Sequence, residues 1–222
     1  EGLDKQHNTI ADVNAAIKSL NSDKPLSFYA QIGYKNFDQK YALGDLKQGS
    51  EGDLYINGDV WAHIDDKSNV GIEFKMDNIS YTSKRYKGYS SLRMNPYYTL
   101  NGKDWNVRIG AHVDYQTAMK KGVVFSPDIF AQYSISDSYQ LYAKVGGGVE
   151  LNNFNRLNAL SPYFIMDTQY LSTSTLIDSK VGFKASPMNE MWFHLFAGYK
   201  VNKNELSPVI TLEPKYTMFI QD

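Results

Sequence analysis

Trp105-Asn106-Val107-Arg108-Ile109-Gly110-Ala111-His112-Val113-Asp114-Tyr115 alternates without a break. Trp105, Val107, Ile109, Ala111, Val113 and Tyr115 fall on one side of an extended chain. Asn106, Arg108, Gly110, His112 and Asp114 fall on the other. Successive strand side chains point to opposite faces, so this run predicts a strand with one apolar and one polar face. The same period recurs along most of the chain. It predicts strands at 26–35, 53–64, 69–77, 89–100, 123–135, 139–150, 173–185, 191–201 and 207–220, with a weaker candidate at 162–170. No helix-sized pattern separates them, which argues against parallel βαβ units.

The connections alternate in length. Asp65-Asp66-Lys67-Ser68, Asn101-Gly102-Lys103-Asp104, Ser136-Asp137-Ser138 and Ser186-Pro187-Met188-Asn189-Glu190 carry turn chemistry. Longer polar stretches, 37–50, 79–88, 116–122 and 151–172, lie between those hairpins. Tight turns at one end and long loops at the other describe an antiparallel up-and-down meander. Before it, Ile10, Val13, Ala16, Ile17 and Leu20 follow helical spacing, with Asn8 or Thr9 as N-cap and Asn21-Ser22-Asp23-Lys24-Pro25 as stop. This predicts an N-terminal helical arm over 1–25 and a β-barrel domain over 26–222. Glu1-Gly2-Leu3-Asp4 lacks the basic and apolar regions of a signal peptide.

The 222 residues are 42% hydrophobic and 21% charged, as in a folded chain. No apolar run approaches the roughly 18 residues of a membrane helix. The net charge of -1 supplies no field for nucleic acid. The absence of Cys removes disulfides, thiolate metal sites and Cys nucleophiles.

Strand length and face composition point to a membrane. Soluble strands average about five or six residues, whereas a tilted membrane strand needs about 9–11. The apolar face of 105–115 has Val, Ile and Ala between Trp105 and Tyr115, and that of 191–201 sets Leu195 and Ala197 between Phe193 and Tyr199. An aliphatic middle suits hydrocarbon and amphipathic rings suit the headgroup boundary. Arg93, Arg108, Asp128, Lys144, Asp178, Lys180 and Lys184 fall on the opposite faces. Lipid forbids open sheet edges, so the sheet is expected to close with 207–220 beside 26–35. The fold class expected is an all-β, outer-membrane type β-barrel of about 10–12 antiparallel strands. The competing reading is a soluble β-sandwich or lipocalin-like barrel that binds a carbohydrate or lipid. Its apolar faces would point inward and carry larger filling residues.

Phe125-Ser126-Pro127-Asp128-Ile129-Phe130, Tyr142-Ala143-Lys144-Val145-Gly146-Gly147-Gly148, Asn152-Asn153-Phe154-Asn155-Arg156-Leu157-Asn158, Ser161-Pro162-Tyr163, Gly182-Phe183-Lys184-Ala185-Ser186-Pro187 and Trp192-Phe193-His194-Leu195-Phe196-Ala197-Gly198-Tyr199 carry a resemblance. Over roughly 26–205 the chain resembles the barrel region of TonB-dependent-receptor-like outer-membrane proteins of Bacteroidota. Those proteins are longer. No plug domain is evident in 1–25, and Met218-Phe219-Ile220-Gln221-Asp222 does not end on the aromatic residue of an assembly signal, which fits a segment of a larger barrel. The resemblance implies an outer-membrane location and uptake of a bulky nutrient. The partners it implies are outer-membrane lipid, a small solute or oligosaccharide, and an energy-coupling or surface lipoprotein.

Two residue sets are candidates for ligand contact. Arg93, Arg108 and Lys144 would line a polar lumen and bias passage toward anions. Tyr86, Tyr89 and Arg85 around the 79–88 loop form a sugar- or peptide-binding surface, against a plainer reading as aromatic girdle and solvated loop. His63, His112 and His194 share the polar parity but lack metal-ligand spacing, and His7 stands apart. Ser126 with His112 can be imagined as a nucleophile–base pair, but nothing singles them out. Gly146-Gly147-Gly148 lies mid-strand with no Lys or helix after it, so it reads as a bend rather than a phosphate loop. No cofactor, metal or catalytic role is expected. A transport barrel, a non-conducting binding barrel and a soluble binding domain remain the alternatives.

Overall fold

A computed structural model describes residues 7–20, 25–40, 49–117, 122–165, 168–188, 190–210 and 217–221. Ten strands follow one another in a single antiparallel sheet whose spatial order is the chain order. They are β1 (Asn8–Lys18), β2 (Leu26–Gln39), β3 (Ser50–His63), β4 (Ser68–Tyr81), β5 (Tyr89–Asn101), β6 (Trp105–Gln116), β7 (Gly122–Ser136), β8 (Tyr139–Glu150), β9 (Thr173–Met188) and β10 (Met191–Lys203). The helix α1 (Phe154–Leu160) lies between β8 and β9, and β11 (Leu206–Ile210) pairs with β12 (Thr217–Gln221) as a separate hairpin. This is the up-and-down meander that the alternation predicts.

Three expectations are corrected. Within the predicted helix, Asn8–Lys18 forms β1 instead and pairs with β2 from Asn8↔Gln39 to Lys18↔Tyr29. The spacing of Val13 to Ile17 is even, so it satisfies period two as well as a helical turn, and Ala11 and Ala15 complete that apolar face. The sheet therefore begins inside the predicted arm. Second, the run 207–220 is not one strand beside 26–35. It contains Pro208 and Pro214, which cannot donate to a ladder, and its described parts fold back on each other. β2 is flanked by β1 and β3 instead, and among the described residues no strand joins β1 to β10. Third, 162–170 forms no named strand and contributes one bridge, Phe164↔Thr217. The expected helix stop at Asn21–Lys24, the middle of the 37–50 loop and the chain ends lie outside the described residues.

The two faces of the sheet invert the usual arrangement of a water-soluble core. Leu54, Ile72, Ile109, Ile129, Leu141, Val181 and Leu195 are exposed. Glu51, Asp53, Asp77, Asn95, Asp114 and Ser126 are buried. On the apolar face Trp105, Tyr133, Tyr139 and Phe193 stand toward the tight-turn end, and Tyr34, Tyr115, Phe125 and Tyr199 toward the long-loop end. All eight are exposed. An apolar surface of this extent needs a cover other than water.

The polar face is concave. Neighbouring strands lie about 4.8 Å apart, so strands three positions apart are separated by about 14 Å in a flat sheet. Arg93 of β5 nevertheless donates from Nη2 to the Val149 carbonyl of β8 at 2.7 Å. Tyr55 of β3 donates to Asp12 of β1 at 2.8 Å, and Asn95 of β5 donates to Asp128 of β7 at 2.8 Å. Only a sheet curled around its polar side brings these groups together. Gly146-Gly147-Gly148 adds a bend: the β8–β9 register shifts between Gly146 and Gly148, and Gly148 has φ of 125°. A Cβ on Gly148 would stand 2.6 Å from Arg93 Nη2.

At the tight-turn end Asp65 closes the β3–β4 hairpin. Its carboxylate accepts from the Lys67 N–H at 2.8 Å and the Ser68 hydroxyl at 3.1 Å. Those bonds, the Lys67 amide foremost, hold its carboxyl below the usual carboxylate range.

Aromatic rings also lie over bare backbone on neighbouring strands. A Cβ on Gly71 would meet the Tyr97 ring at 2.4 Å, and Tyr97 is its cross-strand partner. Gly71→Val should displace that ring and lower the unfolding free energy of the refolded protein by about 1–3 kcal/mol in a urea titration. An unchanged midpoint would show that Tyr97 relaxes freely.

Candidate functional site

The concave face carries two electrostatically different sectors. Across β3–β7 the charges are knitted together. Arg108 donates from Nε to Asp128 Oδ2 at 2.9 Å, and its Nη2 lies 2.9 Å from Glu73 Oε2. Its guanidinium sits 3.9 Å from the centre of the Tyr97 ring. Tyr97 donates to Asp59 at 2.9 Å, and Asn95 donates to Glu73 and Asp128 at 2.9 and 2.8 Å. Arg93 donates from Nε to Asp114 Oδ1 at 2.7 Å. Arg93 and Arg108, expected to bias a lumen toward anions, are thus neutralised by Asp114, Glu73 and Asp128. Alternation placed all of these on one face, but it carried no signal of who pairs with whom.

Across β8–β10 the face is basic. Lys144, Lys180, Lys184 and Lys200 share it with Asp178, and the ion pairs found among the described residues involve none of these lysines. Lys144 stands directly across from Lys180 in the β8–β9 register. Lys180 Nζ lies 4.9 Å from the Phe196 ring centre and Lys184 Nζ 5.5 Å from that of Tyr142. A cleft of about 170 Å³ opens at the junction of the sectors, lined by His112, Asp128, Lys144, Thr175, Asp178 and Lys200 among others.

The histidines do not converge. His194 shares a 2.8 Å hydrogen bond with Tyr142 Oη, while His112 lines the cleft. His112 and Ser126 are opposite each other in register, yet His112 Nδ1 and Ser126 Oγ are buried without hydrogen-bond partners. Asn95 Oδ1 and Asp114 Oδ2 are in the same condition. Buried polar atoms without protein partners call for water or a ligand, so this face is built to be wet.

The long-loop end of the concave face is covered. Phe37, Phe154, Leu157, Phe164, Tyr170, Leu206 and Phe219 form a buried apolar cluster, with Tyr81 and Tyr86 packed against it. Phe37 comes from the polar parity of β2, so the cluster lies on the concave side. Glu51, fully buried on β3, anchors the cover: it accepts from the Phe154 N–H at 2.6 Å and from Asn155 Nδ2 at 2.7 Å. Asn153 caps the same helix, accepting from the Arg156 N–H at 3.0 Å. Asn8 of β1 donates to Asn158 at 2.6 Å, and the Gln169 side-chain amide donates to the Lys87 carbonyl at 2.8 Å and accepts from the Lys87 N–H at 3.0 Å. Glu51 was missed in the sequence. Its parity with Asp53 put it on the polar face, but its target lies about a hundred residues away.

The second set of sequence candidates separates. Tyr89 is buried and Tyr86 is half-buried, its ring 5.5 Å from Phe154 and edge-on to it. Tyr86 packs into the cover and Tyr89 is buried, so neither ring forms an exposed surface. Arg85 is exposed beside them, its N–H donating to Ser83.

Glu51→Ala removes the acceptor of two helix-end donors. It should speed amide exchange at Phe154 and Asn155 by about tenfold, within the range of a lost helix cap. Unchanged exchange would mean that the aromatic cluster alone holds α1.

No family model matches the chain, and no curated protein matches it. Among solved structures it is similar to the FrpB iron transporter from Neisseria meningitidis (F3-3 variant), with a TM-score of 0.57 and 9% sequence identity. That match covers 97% of this chain and 39% of the transporter chain. At that identity the likeness is one of fold. It shows that the ten-stranded wall has the strand arrangement of part of that transporter.

Proposed function

We propose that this chain forms wall of an outer-membrane β-barrel through which a solute passes. One observation carries the reading: the apolar residues of ten strands are exposed on the convex face while the charges occupy the concave one. Hydrocarbon outside and water inside satisfy both faces, and no aqueous surround does. The likeness to an iron transporter supports the same reading at the level of fold. The long-loop end, following the outer-membrane rule of short periplasmic turns, faces outward. Uptake of the TonB-dependent type, with an energy-coupling or surface lipoprotein partner and a bulky nutrient, is the finer form that the sequence resemblance to Bacteroidota receptors favours.

The role is passage rather than catalysis. Ser126 and His112 meet in register without a hydrogen bond, so the Ser has no base poised to take its proton. The cover formed by α1 and the β11–β12 hairpin favours a second form, a barrel closed at its long-loop end until the cover moves.

Two measurements test this. The protein should fractionate with outer membranes and give a heat-shifted band on a gel, with bilayer conductance separating an open barrel from a covered one. Ile109→Lys should lower stability in lipid by about 2–4 kcal/mol, because the side chain faces hydrocarbon. In a water-soluble monomer Ile109 is already 53% exposed, and the same substitution should cost no more than about 0.5 kcal/mol. That second result would overturn the proposal.

A further inference from the structure

We propose that the cleft between β6 and β10 is an anion-binding subsite, taking a carboxylate or phosphate group of the passing solute; this rests on the passage reading above. Lys144 and Lys180 are directly opposed across β8 and β9, and like charges so placed repel. Elsewhere on this face like charges that meet in register each have a partner: Asp59 opposite Glu73 accepts from Tyr97, Glu73 pairs with Arg108, and Lys75 opposite Arg93 pairs with Asp77 as Arg93 does with Asp114. An anion beside Lys144 offsets the repulsion. Lys144 lines the cleft, Lys180 is its neighbour in register, and Lys200 brings a second cation to the cleft from β10.

The carboxylates at hand do not fill that role. Asp128 lines the cleft but already accepts from Arg108 and Asn95. Asp178 also lines the cleft, opposite Lys200 in register, but it is one carboxylate among Lys144, Lys180 and Lys200, and no ion pair among the described residues joins it to any of them. Neutral groups adjoin them. His112 Nδ1 is a buried polar atom with no partner. Ser126, 4% exposed, has its hydroxyl unused where it abuts Gly147, another residue of the cleft wall. Thr175 donates to Asn202 at 2.9 Å and keeps acceptor capacity only. Two lysines, an idle hydroxyl and an imidazole are the donor set of an oxyanion site. Among the described residues, the cations on the strands of the arginine sector, Lys75, Arg93 and Arg108, are each paired.

The test is calorimetric titration of the detergent-folded protein with inorganic phosphate and, separately, with citrate, at constant ionic strength. Saturable binding of at least one is expected, and which one binds tells phosphate from carboxylate. Lys144→Gln and Lys200→Gln should each weaken it by about tenfold, the size of one lost charge-assisted hydrogen bond. Lys67→Gln, in the β3–β4 turn, should leave it unchanged. A heat-modifiability gel on each sample establishes that the variant is folded. No saturable binding by the folded protein, or binding indifferent to Lys144→Gln and Lys200→Gln, overturns the subsite while leaving the membrane reading intact. A water-soluble protein whose anion binding falls with Lys144→Gln keeps the subsite and removes passage.

Discussion

The charges of this sheet bind across strands rather than along them, and that sets everything else. Arg93 spans from β5 to the β8 backbone, and Asn95 ties β4 and β7 to β5. These bonds need a concave polar face. Once the polar side is the inside of the curve, the alternation of ten strands puts every Ile, Leu and Val of the other parity on the convex side. The exposed aliphatic band and its aromatic margins are then consequences, not separate features. A soluble barrel of the same strand count would curl the other way and bury those residues.

The inner face is divided rather than uniform. In β3–β7 each arginine is answered by a carboxylate, which gives rigidity and little net field. In β8–β10 the lysines are in excess, and the boundary between the two sectors is where the cleft opens. The only conventional hydrophobic core of the described residues is small and sits at the long-loop end, where α1 and the final hairpin meet Phe37. Glu51 reaches both backbone and side chain of that helix start, so one wall carboxylate holds two groups of the cover, beside the Asn8–Asn158 bond from β1. Movement of the cover would have to release both.

Period-two alternation is a local property, and it was legible. It located nine of the ten wall strands, chose the polar face correctly and put Arg93, Arg108 and Lys144 together on it. β1 escaped because Val13 and Ile17 are four apart, a spacing shared by helix and strand, and Ala residues weakened the contrast. The final hairpin escaped because its two short strands have the same parity as one long one, with Pro208 and Pro214 as the overlooked signs. Partnerships were not legible. Nothing near Glu51 names Phe154, and nothing near Arg93 names Val149, because curvature decides which distant groups meet. Tyr89 and Tyr86 were read as surface for the same reason: the segment that covers them follows much later in the chain.

The sequence has no Cys, so single cysteines can be introduced and spin-labelled one at a time along 107–114. Collision rates with oxygen, which concentrates in lipid, and with a water-soluble nickel complex then report the surroundings of each position in proteoliposomes. Opposite oscillations of period two are expected: oxygen maxima at Val107, Ile109, Ala111 and Val113, and nickel maxima at Arg108, Gly110, His112 and Asp114. Nickel maxima at Ile109 and Val113, or no contact of those positions with lipid, would contradict a lipid-facing apolar parity.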